Sequence, residues 1–153
     1  MATGKLSLFI ILFLICVVFI ELAQSIALNK RQSGSVAYAD FISGGEKRGA
    51  AVTGRFVWTP ISKSDTQVDG QFNSGFENSN IKDYSFFLED KHGKIVYDLT
   101  ENISKKVNII VPGTSPYNEC FADSFMKPDD IVGLNFIVKC QSEKIGEALI
   151  KYS

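Results

Sequence analysis

The tightest constraint on this chain is an alternation of apolar and polar residues with a period of two, repeated in short runs. In AAVTGRFVWT (50–59), Val52, Gly54, Phe56 and Trp58 share one face, and Thr53, Arg55, Val57 and Thr59 share the other. Successive side chains of a strand point to opposite sides, so such a run has one face to bury and one to leave in water. The same reading applies to SVAYADFI (35–42), TQVDGQF (66–72), DYSFFLED (83–90), KIVYDL (94–99), KVNIIV (106–111), GLNFIVKC (133–140) and EALIKY (147–152). Between them lie SGGEKRG, PISKSD, NSGFENSN, DKHG, TENIS, PGTSPYNE, KPDD and QSEK, rich in the residues that make turns. Pro60 ends the second run because it cannot donate to a ladder. No stretch of a dozen residues repeats its apolar positions at helical spacing. The best short-helix candidate is CFADSFMKPDD, with Pro128 as its stop. Strands with one apolar face must bury it against a second layer. The expectation is an all-β fold, an antiparallel β-sandwich of about seven to eight strands.

The first thirty residues read differently. Lys5 precedes LSLFIILFLICVVFI (6–20), and the small residues of ELAQSIA follow, with Ala23 and Ser25, or Ser25 and Ala27, at the spacing a signal peptidase accepts. A membrane-spanning helix needs about 20 apolar residues. This run is shorter and is followed by Glu21. Residues 1–25 are therefore expected to be a helical secretory signal cleaved at Ser25, the alternative being an uncleaved anchor. Lys30-Arg31 is a dibasic pair of the kind that secretory-path proteases cut. Residues 26–31 then form a short propeptide, and 32–153 a single domain beginning at Gln32.

Those 31 residues hold three of the sixteen basic and one of the seventeen acidic side chains, leaving a net charge of −3 on the remainder. No basic block survives, which argues against a nucleic-acid partner and against a polybasic membrane patch. The end of the chain, GEALIKYS, carries no hydrophobic tail for a lipid anchor. No stable membrane anchor is expected after signal cleavage. Cys16 leaves with the signal, so Cys120 and Cys140 remain. In an oxidising compartment they are expected to form a disulfide worth about 3 kcal/mol, with two free thiols as the alternative. Two thiols fall short of a structural zinc site.

Candidate chemistry is sparse. His92 is the single histidine. It lies in DKHG, where Gly93 suits a tight hairpin turn, so it is expected at an exposed tip without a partner to orient it. Glu89 and Asp90 are adjacent in a strand and diverge, and Asp129 and Asp130 read as loop charge or a helix cap. No GxSxG, GxGxxG or calcium-loop spacing occurs. No catalytic residue, metal ligand or cofactor site is therefore expected. Asn102-Ile103-Ser104 is an N-glycosylation sequon in the TENIS turn. Phe76, Tyr117, Phe121 and Phe125 fall in or near loops. They either contact a partner or cover the open ends of the sandwich.

AVTGRFVW, VDGQFNSGF and the closing GEALIKYS resemble strands of copper/zinc superoxide dismutase, an architecture related to the immunoglobulin-like sandwich. That family holds its metals with several histidines, so with one histidine the resemblance implies architecture alone. The order of signal, propeptide-like stretch, VDGQF, YSFFLEDKHGKIVYDL and a late strand carrying a cysteine also resembles the ML lipid-recognition family of secreted sandwiches. As a whole the chain looks like a small secreted protein of fungal type. The expected function is a secreted, non-enzymatic β-sandwich that binds an extracellular protein, glycan or lipid through loops or sheet edges. The alternative is a lipid or sterol carrier with its ligand between the sheets.

Overall fold

The period-two runs fold as strands, and their shared faces become one aromatic core. The computed structural model describes residues 35–42, 52–122 and 125–153. The signal, Ser25, Lys30, Arg31 and the propeptide lie outside these residues. Strands β1 (Ala37–Phe41), β2 (Thr53–Pro60), β3 (Thr66–Ser74), β4 (Tyr84–Glu89) and β5 (Ile95–Asp98) are followed by helix α1 (Thr100–Lys106). Then come β6 (Ile109–Ile110), β7 (Gly113–Thr114), β8 (Tyr117–Phe121), the short helix α2 (Pro128–Ile131), β9 (Asn135–Cys140) and β10 (Glu143–Tyr152). Eight strands form one antiparallel sheet in the order β5-β4-β9-β10-β1-β2-β3-β8, and β6 and β7 make a separate hairpin.

That sheet curls into two facing layers because β10 serves both. Glu143–Leu149 pair with β9, and Ile150–Tyr152 pair with β1. A bulge between Lys144 and Gly146 interrupts the pairing of this strand with β9. Across the gap Phe56 of β2 meets Phe136 of β9 edge-on at 5.1 Å, and Phe72 of β3 stacks on Phe86 of β4 at 5.7 Å. Phe41 touches both Phe72 and Phe136 at 5.3 Å. Each fully buried side chain of this kind contributes roughly 1.5–3 kcal/mol. An exposed ion pair such as Arg55–Asp40 contributes 1 kcal/mol at most, on the order of nothing in many cases. The aromatic layer is what holds the two sheets together.

The expected all-β sandwich is the observed one, and Phe56/Trp58, Val68/Phe72, Tyr84/Phe86/Leu88 and Phe136/Val138 are buried on the faces the alternation assigned them. The main sheet has eight strands, within the expected seven to eight, and among the described residues the short β6–β7 hairpin adds two more. TENIS is not a turn: it lies within α1. Leu99, Ile103 and Val107, four residues apart, are all buried, and the Asp98 carboxylate accepts the Thr100 N–H at 2.9 Å. A helical stripe three residues long is too short to register in a dozen-residue window. KVNIIV is likewise not one strand, because α1 runs to Lys106 and only Ile109–Ile110 pair. PGTSPYNE and the start of CFADSFMKPDD hide β8. Its inward residues are Tyr117, Glu119 and Phe121, and the central acid masks the apolar period. Glu119 is tolerated there because Lys106 of α1 meets it at 3.3 Å at the rim. Pro128 starts α2 rather than stopping a helix, occupying a first-turn position where no N–H is needed.

Candidate functional site

The β4–β5 turn builds as its residues predict. Asp90 Oδ1 accepts the N–H groups of His92 at 2.8 Å and Lys94 at 3.0 Å, and Gly93 takes φ +79°. The backbone bond from Lys94, then that from His92, holds the Asp90 carboxyl below its usual range. His92 is exposed at this tip. Its ring has no hydrogen bond among the described contacts that would orient it as a base. Glu89 points to the outer face and meets Lys139 at 2.8 Å, so it diverges from Asp90 as expected. Asp129 accepts the Tyr152 hydroxyl at 2.8 Å in the first turn of α2. Asn102 sits half-buried on α1 rather than in a turn.

The expected Cys120–Cys140 disulfide is not formed; both thiols are free. Parity explains it. Cys120 takes the outward position between Tyr117 and Phe121 phases of the edge strand β8 and is exposed. Cys140 takes the inward position of β9, in phase with Phe136 and Val138, and packs against the core rim. The two side chains leave opposite sides of different layers. Burial, then the nearby Asp83 charge, pushes the Cys140 thiol up.

The loop aromatics are mostly core. Phe76, Tyr117 and Phe121 are buried, so none of the three is free to contact a partner. Phe76 lies 4.7 Å from Tyr84, Tyr117 lies 5.9 Å from Phe56, and Phe121 lies 5.4 Å from Phe125. Only Phe125, 40% exposed, keeps a free edge, and it stands perpendicular to Tyr97 at 5.3 Å. Tyr117 and Phe121 belong to β8, and with Phe76 they are part of the core. Between β2, β3, β8 and α1 the core leaves a cavity of about 10 Å³, lined by Phe56, Trp58, Tyr117, Ile103, Phe136 and their neighbours. A site for a drug-sized or lipid ligand takes about 300–1,000 Å³. The interior is filled by side chains.

What the alternation did not reveal is the β6–β7 hairpin. Ile110 and Val111, 64% and 52% exposed, and Pro112 form an apolar run at its tip. Its base is clamped to β3. The Phe72 N–H donates to Thr114 Oγ1 at 3.2 Å, Gln71 Nε2 to the Thr114 carbonyl at 2.8 Å, and the Phe76 N–H to the Pro112 carbonyl at 3.0 Å. Gly113 fits because a Cβ there would lie 2.6 Å from the Phe72 carbonyl oxygen. Three consecutive exposed apolar residues on an anchored hairpin are the kind of surface that marks a contact. In the sequence the signal was IIVPG itself, an apolar run followed by Pro-Gly.

Among the described residues no helix is long and apolar enough to cross a membrane. No protein-family model matches the chain, and no curated protein matches it. Solved structures do. Two single-substitution variants of Candida albicans superoxide dismutase 5 superpose with TM-scores of 0.56 and 0.55, each 14% identical to this chain. The likeness covers 78% of this chain in both cases, and 92% and 90% of theirs. At that identity the likeness is one of fold. It agrees with the superoxide-dismutase-like architecture read from the strands and shows no ML lipid-recognition relationship. The donor chemistry of a copper/zinc centre does not fit this chain. One histidine occurs in the whole sequence, alone at an exposed turn. Among the described residues no three His, Cys, Asp or Glu side chains come together to hold an ion.

Proposed function

We propose that the chain is exported by its N-terminal signal, trimmed at Lys30-Arg31, and acts outside the cell as a non-enzymatic sandwich that binds another protein through the β6–β7 hairpin. The observation that carries this reading is the allocation of apolar surface. The interior is packed, whereas Ile110, Val111 and Pro112 stand in solvent on a hairpin held by two hydrogen bonds from β3, at Gln71 and Phe72, and one from Phe76 just beyond it. A fixed apolar tip loses little freedom on docking, so its buried area goes into affinity. It fits a partner with an apolar pocket. The carrier alternative finds no support in a cavity of about 10 Å³.

Capture from extracellular medium tests this. The unaltered protein is expected to retain a partner that the Ile110→Ser/Val111→Ser variant loses. Removing two half-exposed apolar anchors costs roughly 3 kcal/mol, on the order of a hundredfold in affinity. Equal capture by both proteins refutes the hairpin as the docking element. A superoxide-consumption assay with copper and zinc supplied tests the non-enzymatic part. Metal-dependent turnover there would overturn it.

A further inference from the structure

Asn102-Ile103-Ser104 is the one place in the chain where serine or threonine follows two residues after an asparagine. Its position on α1 fixes the direction in which it faces. Successive helical residues step round the axis by about 100°. Ile103, 1% exposed, marks the inward direction. Thr100 stands roughly 60° to one side of it and bonds β4, accepting the Phe86 N–H at 3.1 Å. Lys106 stands roughly 60° to the other side and meets Glu119 of β8 at 3.3 Å. Asn102 lies on the Lys106 side, about 100° from Ile103 and roughly 6 Å along the axis before Lys106. It therefore sits on the flank of α1 that faces β8.

The Asn102 amide has no hydrogen bond among the described residues, and although the residue is half-buried, neither amide atom is shut away from solvent. Replacing one hydrogen on Nδ2 therefore takes no bond from the fold. Other asparagines are engaged. Asn80 bonds the Lys82 N–H and the Asp83 carboxylate, and Asn118 Nδ2 donates to Asp69. Residues two apart on a helix point about 200° apart. In the folded protein the Ser104 hydroxyl accordingly turns away from Asn102 and donates to the Glu101 carbonyl at 3.3 Å. A helix of seven residues does not hold on its own; α1 forms when Leu99, Ile103 and Val107 dock. Before that the triplet is open to a transferase, and the fold then sets where the attached group points.

We propose that Asn102 carries an N-linked glycan that covers the free edge of β8, a reading that rests on the proposed export of the chain. Asn102 Nδ2 bonds the anomeric carbon of a lipid-linked oligosaccharide and gives up one proton, and the lipid diphosphate leaves from that carbon. β8 is one end of the eight-stranded sheet, and Asn118 and Cys120 are exposed on it. An open edge is a template for pairing with another chain, and proteins cover or blunt such edges. A bulky, solvated glycan on the adjoining flank of α1 does so without using core residues.

The test expresses the full chain with its own signal in a yeast secretory host and measures the mass of the protein in the medium before and after endoglycosidase. A downward shift is expected for the unaltered protein and for Ser104→Thr, and none for Asn102→Gln or Ser104→Ala. Secreted protein with no shift, or a shift that survives both of those variants, overturns the site and leaves export standing. A chain that stays in the cell overturns the export reading; the same chain behind a working secretion signal then decides Asn102 by the same shifts. The covering of β8 is read at Cys120 with a small maleimide and a large polymer-linked one. Removing the glycan is expected to speed the large reagent several-fold and leave the small one unchanged. Equal rates for the large reagent before and after removal overturn the covering role.

Discussion

Gly113→Ala is expected to damage this protein through space rather than through backbone conformation, and the reasoning can be separated from the alternative by a second glycine. At position 113 a Cβ would lie 2.6 Å from the Phe72 carbonyl oxygen and 2.7 Å from that of Asn73. Both are backbone atoms of strand β3, so neither can rotate away. The hairpin must lift, which breaks the bonds from Phe72 to Thr114 Oγ1, from Gln71 to the Thr114 carbonyl and from Phe76 to the Pro112 carbonyl. At about 1 kcal/mol each, with some strain remaining, the loss is roughly 3 kcal/mol. Gly93 is the contrast. Its φ is +79° and nothing lies within 4 Å of its missing Cβ. Alanine there costs only the left-handed conformation, about 1 kcal/mol, and asparagine costs less because it tolerates that region. Urea unfolding of the four variants reads this directly. The expected order of midpoints is Gly93→Asn above Gly93→Ala, both well above Gly113→Ala, with Gly113→Asn lowest. A Gly113→Ala midpoint equal to that of the unaltered protein would refute the clamped hairpin. An asparagine that rescues position 113 would show that conformation, not crowding, selects glycine there.

Phe136 lies where rings of both layers meet, so Phe136→Ala is expected to cost about 3–5 kcal/mol by denaturant titration; a loss under 1 kcal/mol would mean the layers are not held by this cluster. Burial, then the Glu119 charge, pushes the Tyr117 hydroxyl above its usual range. The folded state therefore disfavours the phenolate, and the stability this contributes is intact below about pH 10 and lost as pH rises beyond it. Tyr117→Phe should flatten the alkaline limb of a stability–pH curve, and an unchanged limb would disprove the assignment. A thiol reagent is expected to modify Cys120 in the native protein at once and Cys140 only on unfolding; protection of Cys120 would place it in a bridge or an interface.

The fold was legible because its evidence is local and repeated. Phe56 and Trp58, or Tyr84, Phe86 and Leu88, announce a face by parity alone, and parity survives without knowledge of the partner strand. The expectations that the structure corrects fail for separate reasons. Glu119 interrupts the apolar period of β8, and only Lys106 and the sheet rim make it acceptable. The α1 stripe of Leu99, Ile103 and Val107 spans the junction of two runs that each read as strand. The two cysteines satisfied the arithmetic of a bridge, but their parities in β8 and β9 send them to opposite sides. Phe76, Tyr117 and Phe121 were assigned to loops by their neighbours, and all three belong to the core. His92 was placed correctly because a turn of Asp-Lys-His-Gly is self-contained.

Fold and chemistry separate cleanly in this molecule. The likeness to superoxide dismutase structures is one of overall fold, and a two-layer sandwich asks only for alternating faces and a core of large side chains. Those can persist at 14% identity because many apolar residues satisfy them. A metal centre is different, since it needs particular donors at particular positions, and one histidine at a solvent-exposed turn supplies none of that geometry. Fold alone therefore lends no activity to this chain. At the β6–β7 tip apolar residues are left unburied. A hairpin that needed only to connect α1 to β8 would be served by polar residues; Ile110, Val111 and Pro112 expose apolar area that contributes nothing to folding. The β6–β7 tip is therefore where the proposed docking is tested first.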